Sequence, residues 1–274
     1  MHWLDIWPHS VGFNSSGLHA CLVSWPALPA LRGNAGAAFR TNQGGAVMSA
    51  ALPNMPKVSS RMTGKLEGIH AINTNTVTND FCNQQKETDT ICGECYSHHM
   101  LNTFRKMCQP AWQHNSEVLS SVVLQRHELP RITAAFCRFH AHGELINHKH
   151  FINFVNIARD NPHCTFALWT KRKDIVWQVL DEDYHSKPSN LILVWSNPKI
   201  DKVVQSVPRH FDKVFNNVRH DRTPQNCTGQ KCIECLRCYK HDADTDIIVE
   251  AVKSGTGRVP KSLQSNGSGV TINV

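Results

Sequence analysis

The chain has 274 residues, 41% of them hydrophobic and 19% charged, with a formal net charge of +7 that 17 histidines can raise in acid. This is enough apolar content for one large domain or two small ones, and no apolar run reaches the ~20 residues a membrane span needs. No basic stretch precedes the short apolar patch at 18–31, which argues against a secretory signal.

Eleven cysteines are present, and seven fall in two tight clusters. In a chain of this length without a secretory signal, clustered C-x-x-C points to metal binding rather than a disulfide framework, and so to a reducing cytoplasm. The positive charge is compatible with nucleic acid or another anionic partner, but it is spread along the chain and singles none out.

Residues 1–55 are rich in Gly, Ala, Ser and Pro and keep no sustained period. They are expected to be either a disordered extension or the product of an upstream start codon, with Met48 and Met55 as alternative starts. Residues 56–253 are expected to form a single metal-binding α/β domain, and the Gly- and Ser-rich residues 254–274 a flexible tail.

Within the domain, residues 65–76 read as a hairpin or first strand. The polar stretch 82–96 reads as a loop, and 98–108 and 111–127 as helices parted by Pro110. Strands follow at 132–140, 164–169, 191–195, 213–218 and 246–251. Helices are expected at 148–159, 173–180 and 200–207, with Ser196-Asn197-Pro198 ending the fourth strand. Repeated alternation of strand and helix predicts right-handed crossovers and a parallel sheet. The count suits a small or partial β/α barrel, in which functional residues gather at the carboxyl ends of the strands.

The residues after each predicted strand fit that expectation. The first strand is followed by Cys82, Cys92 and Cys95, spaced C-x9-C-x2-C. The second ends in Arg138-Phe139-His140-Ala141-His142-Gly143-Glu144. Lys171 and Arg172 follow the third, Ser196 and Asn197 the fourth, and Arg219 and His220 the fifth. Strand alternation points Arg138, His140 and His142 to one face, which is costly for cationic and titratable groups unless a ligand is served. Arg138, His140, His142, Gly143, Glu144, Lys171, Ser196 and Asn197 are therefore candidate cofactor-binding residues.

Three thiolates suit a [4Fe–4S] cluster with one open iron, or a zinc loop completed by His98 or His99. Cys227, Cys232, Cys235 and Cys238, spaced C-x4-C-x2-C-x2-C, put four thiolates in twelve residues. This is close to ferredoxin spacing and also able to close on zinc. Cys21, Cys108, Cys137 and Cys164 stand apart and read as small core residues.

These motifs resemble a phage family called gene product 88. The likeness rests on Cys82, Cys92, Cys95 and Tyr96, on Arg138-x-His140-x-x-Gly143-Glu144, and on the four closing cysteines, from about Met55 to Ala251. The chain is more distantly similar to radical S-adenosylmethionine enzymes. There, three cysteines after the first strand hold a [4Fe–4S] cluster, and a Gly-Gly-Glu after the second binds the cofactor's amino group. That likeness implies Cys82, Cys92 and Cys95 as cluster ligands and Glu144 as the cofactor residue. The cysteine spacing here is longer than the C-x3-C-x2-C of those enzymes.

Two readings follow. In one, the chain is an iron–sulfur enzyme that binds S-adenosylmethionine, takes electrons from a donor and carries a second, auxiliary cluster. In the other, zinc or iron–sulfur centres stabilise a module that binds nucleic acid.

Overall fold

The computed structural model describes residues 54–252 except 183–185, 220–222, 243 and 245. The expectations for the leading segment up to residue 53, for the tail beyond residue 252 and for Cys21 lie outside these residues. Six strands form one sheet: β1 (His70–Ile72), β2 (Phe136–Phe139), β3 (Thr165–Thr170), β4 (Leu191–Ile200), β5 (Lys213–Val218) and β6 (Ile247–Ala251). Their spatial order is their chain order, and every neighbouring pair is parallel. When right-handed crossovers all step the same way across a sheet, they fall on one of its faces. The result is an open parallel α/β sheet with its longer helices against one side, an arrangement consistent with a partial barrel.

Side-chain alternation divides the core accordingly. Phe166 and Leu168 of β3, with Leu191 and Leu193 of β4, join Phe139 and Val214 in the larger apolar cluster. Helices α3 (Gln109–Ser121), α4 (His148–Asp160) and α5 (Lys173–Trp177) close that cluster from outside. Ala167, Trp169, Ile192 and Val194 face the opposite way and join Ile69 and Tyr239 in a second cluster. Strands covered on both faces read as continuous apolar runs, which is why β3 and β4 stand out in the sequence. Inside the larger cluster, Phe139 stacks on Phe154 and Phe166, with centroids 4.0 and 4.9 Å apart.

Three local expectations change. The polar stretch after β1 contains a helix, α1 (Asp80–Lys86), capped where Asn79 Oδ1 accepts from Cys82 N at 3.2 Å. Helix α2 (Tyr96–Asn102) follows the cysteines directly. Ser196-Asn197-Pro198 does not end β4, which shifts register there and continues to Ile200. Finally, residues 201–207 are not helical. Asn216 Oδ1 accepts from Val204 N and from Asn197 Nδ2 at 3.0 and 2.9 Å. Side-chain partners of this kind let a backbone stay extended where a helix would satisfy it internally.

Candidate metal centre

The carboxyl ends of β1, β2 and β3 carry the first thiol group. Directly after β1, Asn73, Thr74, Asn75 and Thr76 are all buried. Asn73 Oδ1 accepts from His142 N at 2.9 Å, Thr74 N donates to His142 O at 3.0 Å, and Asn75 N donates to Ser116 Oγ at 2.9 Å. This polar run fixes where the chain leaves β1 and enters α1. Asn79, the cap of α1, also donates from Nδ2 to Glu144 O at 3.1 Å. The turn bearing Cys92 and Cys95 is held from the far side, where Ile91 N donates to Pro198 O in the extension of β4 at 2.9 Å. The cysteine loop therefore reaches from β1 across to β4.

Cys82, Cys92 and Cys95 are free, half-buried thiols. Burial pushes the Cys82 thiol well up, and the charges of Glu144, Cys95 and Cys92 add to that. Cys92 is also raised by burial, with Lys171 pulling the other way. Burial works against the Lys171 ammonium too, but the negative charges of Cys92, Glu144, Cys95 and Cys82 more than offset it and hold its pKa above the usual value. Lys171 is thus the cation of a group of three thiols and one carboxylate. Its Nζ donates to Ser196 Oγ at 3.2 Å, tying it to β4.

Glu144 is buried, and its carboxylate accepts from Thr170 Oγ1, from Lys171 N at 2.9 Å and from Leu145 N at 2.8 Å. Burial raises its pKa, while Lys171 and these hydrogen bonds lower it in part. Thr170 was not singled out in the sequence; its place at the end of β3, just before Lys171, is the signal that could have found it. Asn197, by contrast, donates to Lys202 O at 2.6 Å and to Asn216 Oδ1, so its amide secures the β4 extension.

The alternation expected through residues 138–142 breaks. Strand β2 ends at Phe139, and His140 takes a left-handed φ of 62°. Its ring turns into the helix layer, 5.1 Å from His150 and 5.0 Å from Phe154 between centroids. Burial drives its pKa down to about 3. His142 stacks on Trp112 at 4.5 Å, packs edge-on to Tyr96, and shares a 2.9 Å hydrogen bond between Nδ1 and Ser97 Oγ. Burial likewise lowers it to about 3. Gly143, at φ +112°, lies so close to the residue-74 backbone that a Cβ would meet Thr74 Oγ1 at 2.0 Å. Arg138 keeps the opposite direction, with its guanidinium 3.7 Å above the Trp169 ring.

The four-cysteine segment does not lie with the first thiols at the strand ends. Helix α6 (Cys232–Cys235) and the turn Arg237–Tyr239 fold against the face of the sheet opposite the helices. There Cys232, Ile233, Leu236 and Cys238 pack on Ile69, Trp169, Val194 and Tyr239. Leu236, at φ 51°, makes the bend between the two turns. Asn226 anchors the approach, donating from Nδ2 to Ile247 O at 2.8 Å and accepting at Oδ1 from Val249 N at 2.9 Å, while Cys227 N donates to Val249 O at 3.0 Å. Lys65 Nζ reaches Cys227 Sγ at 3.4 Å and pairs with Glu250. Neither Lys65 nor Glu250 belongs to a recognisable motif, and each joins the site only through the fold. Burial raises Cys238 to about 12 and raises Cys232, with Arg138 the first opposing charge in both.

Among the described residues, no three His, Cys, Asp or Glu side chains stand as a preformed metal-binding group. In donor chemistry both thiol sets suit a soft metal: each gathers free cysteines within reach of one another's charge and places cations beside them. Trp169 Nε1, Tyr239 Oη and Arg138 Nε, along the wall that the four-cysteine segment covers, are buried without hydrogen-bond partners. A polar cleft of about 620 Å³ lies between α1, α3 and the start of α5, where Arg172 lies over Phe81. No described helix is long and apolar enough to cross a membrane.

A family model described as gene product 88 matches residues 31–261, starting upstream of the Met55 boundary expected from the motifs. No curated protein and no solved structure matches the chain.

Proposed function

The chain belongs to the gene product 88 family, and from that premise we propose that it is an iron–sulfur protein with one open and one fully ligated centre. The observation that carries this reading is the meeting of Cys82, Cys92, Cys95, Glu144 and Lys171 at the carboxyl ends of successive parallel strands. A [4Fe–4S] cluster on three thiolates supplies an iron that a chelating ligand can reach, and an electron for reduction. Cys227, Cys232, Cys235 and Cys238 would ligate the auxiliary centre.

The finer reading is reductive chemistry on S-adenosylmethionine, with the chain's own residues doing the positioning. Glu144, aimed by Thr170, Lys171 N and Leu145 N, would hold the cofactor's ammonium in a charge-assisted hydrogen bond. Lys171, steadied by Ser196, balances the thiolate charge. The loop from Cys82 to Cys95, pinned to β4 at Pro198, would keep water from the reacting atoms. Gly143 lets the Glu144 loop approach the backbone after β1.

The test is anaerobic purification followed by metal and sulfide analysis. The expected protein is brown, absorbs near ~400 nm, contains iron and sulfide in equal amounts, and loses only part of both in the Cys95→Ala variant. Zinc without sulfide would refute it and favour the metal-stabilised module, for which salt-dependent nucleic-acid binding is the next measurement.

A further inference from the structure

We infer that Arg138, Trp169, Tyr239 and Lys65 form a hydrogen-bond donor collar around the metal centre ligated by the four-cysteine group. This rests on the reading that Cys227, Cys232, Cys235 and Cys238 ligate a metal, and it assigns positioning roles to residues that no motif marks.

Four thiolates around one dication, or around an iron–sulfur cluster, leave net negative charge on the centre. Here that charge would sit in a largely apolar setting, on Ile69, Ala167, Ile192 and Val194. Uncompensated charge in such surroundings is strongly disfavoured. The fold supplies cations from two directions. Lys65, just before β1, donates from Nζ to Cys227 Sγ at 3.4 Å and also pairs with Glu250. Arg138, on β2, lies over the Trp169 ring, in the cluster on which Cys232 and Cys238 pack.

Trp169 is 8% exposed and Tyr239 4%, yet the indole N–H and the phenol O–H have no acceptor, and neither has the Arg138 Nε–H. Buried donors are almost always satisfied, and an exception calls for an unseen partner. All three belong to groups in contact with the cysteine segment or with each other. Arg138 stacks on Trp169 at 3.7 Å, Trp169 lies 6.3 Å from Tyr239 between ring centroids, and Tyr239 immediately follows Cys238. Sulfur ligated to a metal accepts such hydrogen bonds, and donors around a sulfur centre raise its reduction potential and slow its loss. The collar therefore slows metal loss from the four-cysteine centre and raises its potential.

The experiment uses the full chain carrying the metal it is purified with, challenged with EDTA while thiol release is followed with a chromogenic disulfide reagent. Tyr239→Phe keeps the ring and removes one donor. Arg138→Met removes the guanidinium, and Arg138→Lys keeps the charge without the Nε donor. The expected result is thiol release from the four-cysteine group at least tenfold faster in Arg138→Met, with Tyr239→Phe and Arg138→Lys between it and the wild type. If iron is the metal, the same variants should shift that centre's potential downward. Wild-type retention in both Tyr239→Phe and Arg138→Met overturns the collar even if iron and sulfide are present, and the proposed function then stands without it. Zinc in place of iron refutes the open-cluster reading, while the retention series decides the collar by itself. A full chain with no metal on these cysteines overturns both.

Discussion

Gly143 shows what one residue does for the site. Its φ of +112° lies in the region that favours glycine, and a Cβ would also come within 3.0 Å of the Thr74 backbone N and O. We predict that Gly143→Ala destabilises the fold by at least about 2 kcal/mol, from left-handed strain and overpacking together. Thr74→Ala should recover only part of this, because the backbone contacts remain; full recovery of the denaturant midpoint would contradict the account. In the sequence, Gly143 reads as part of a cofactor motif, and its structural reason is visible only once the residues after β1 lie against it. Glu144 and Lys171 were legible as strand-end residues of unusual type. Their mutual charge relation was not, because it depends on β2 and β3 being neighbours.

At the scale of the element, the apolar strands were legible and the strand ends less so. Alternation is informative only while the chain stays extended, and β2 stops at Phe139, so the faces assigned to His140 and His142 did not hold. Likewise α1 was hidden in a polar stretch, because its start is signalled by the Asn79 cap and not by an apolar face. The turn of His140 into the helix layer has a consequence for stability. His140 and His150 are both buried, and burial holds each below its ordinary value of 6.5, to about 3 for His140. The unfolded chain binds these protons below about pH 6.5 and the native chain does not, so native stability falls with pH from there toward 3. Each histidine should cost about 1.4 kcal/mol per pH unit in that window. Urea denaturation at pH 7, 6 and 5 checks this, and His150→Leu should flatten the slope by close to one proton. A midpoint independent of pH from 7 to 5 would show that these rings titrate in the native protein as they do in the unfolded chain.

At the scale of the molecule, the sequence carried both cysteine groups by spacing, yet spacing has no direction and left open that the second group covers the face opposite the helices. That placement would link a metal on these cysteines to the fold. Asn226 and Cys227 hydrogen-bond along β6, and Lys65 pairs with Glu250 of the same strand. Metal binding coupled to folding in this way predicts that Cys235→Ala, or chelation, raises amide exchange in β6 at least tenfold while β3 and β4 stay protected. Equal protection of β6 with and without metal would separate the centre from the fold. The proposed function turns on an open iron at Cys82, Cys92 and Cys95 facing Glu144. Its most direct test is electron paramagnetic resonance of the reduced protein titrated with S-adenosylmethionine. The account predicts that the spectrum of one cluster changes on addition of the cofactor, that Cys95→Ala removes that signal, and that Glu144→Ala keeps the signal but weakens the response by roughly tenfold or more, as expected for loss of a charge-assisted hydrogen bond. A wild-type cluster spectrum that S-adenosylmethionine leaves unchanged would contradict it.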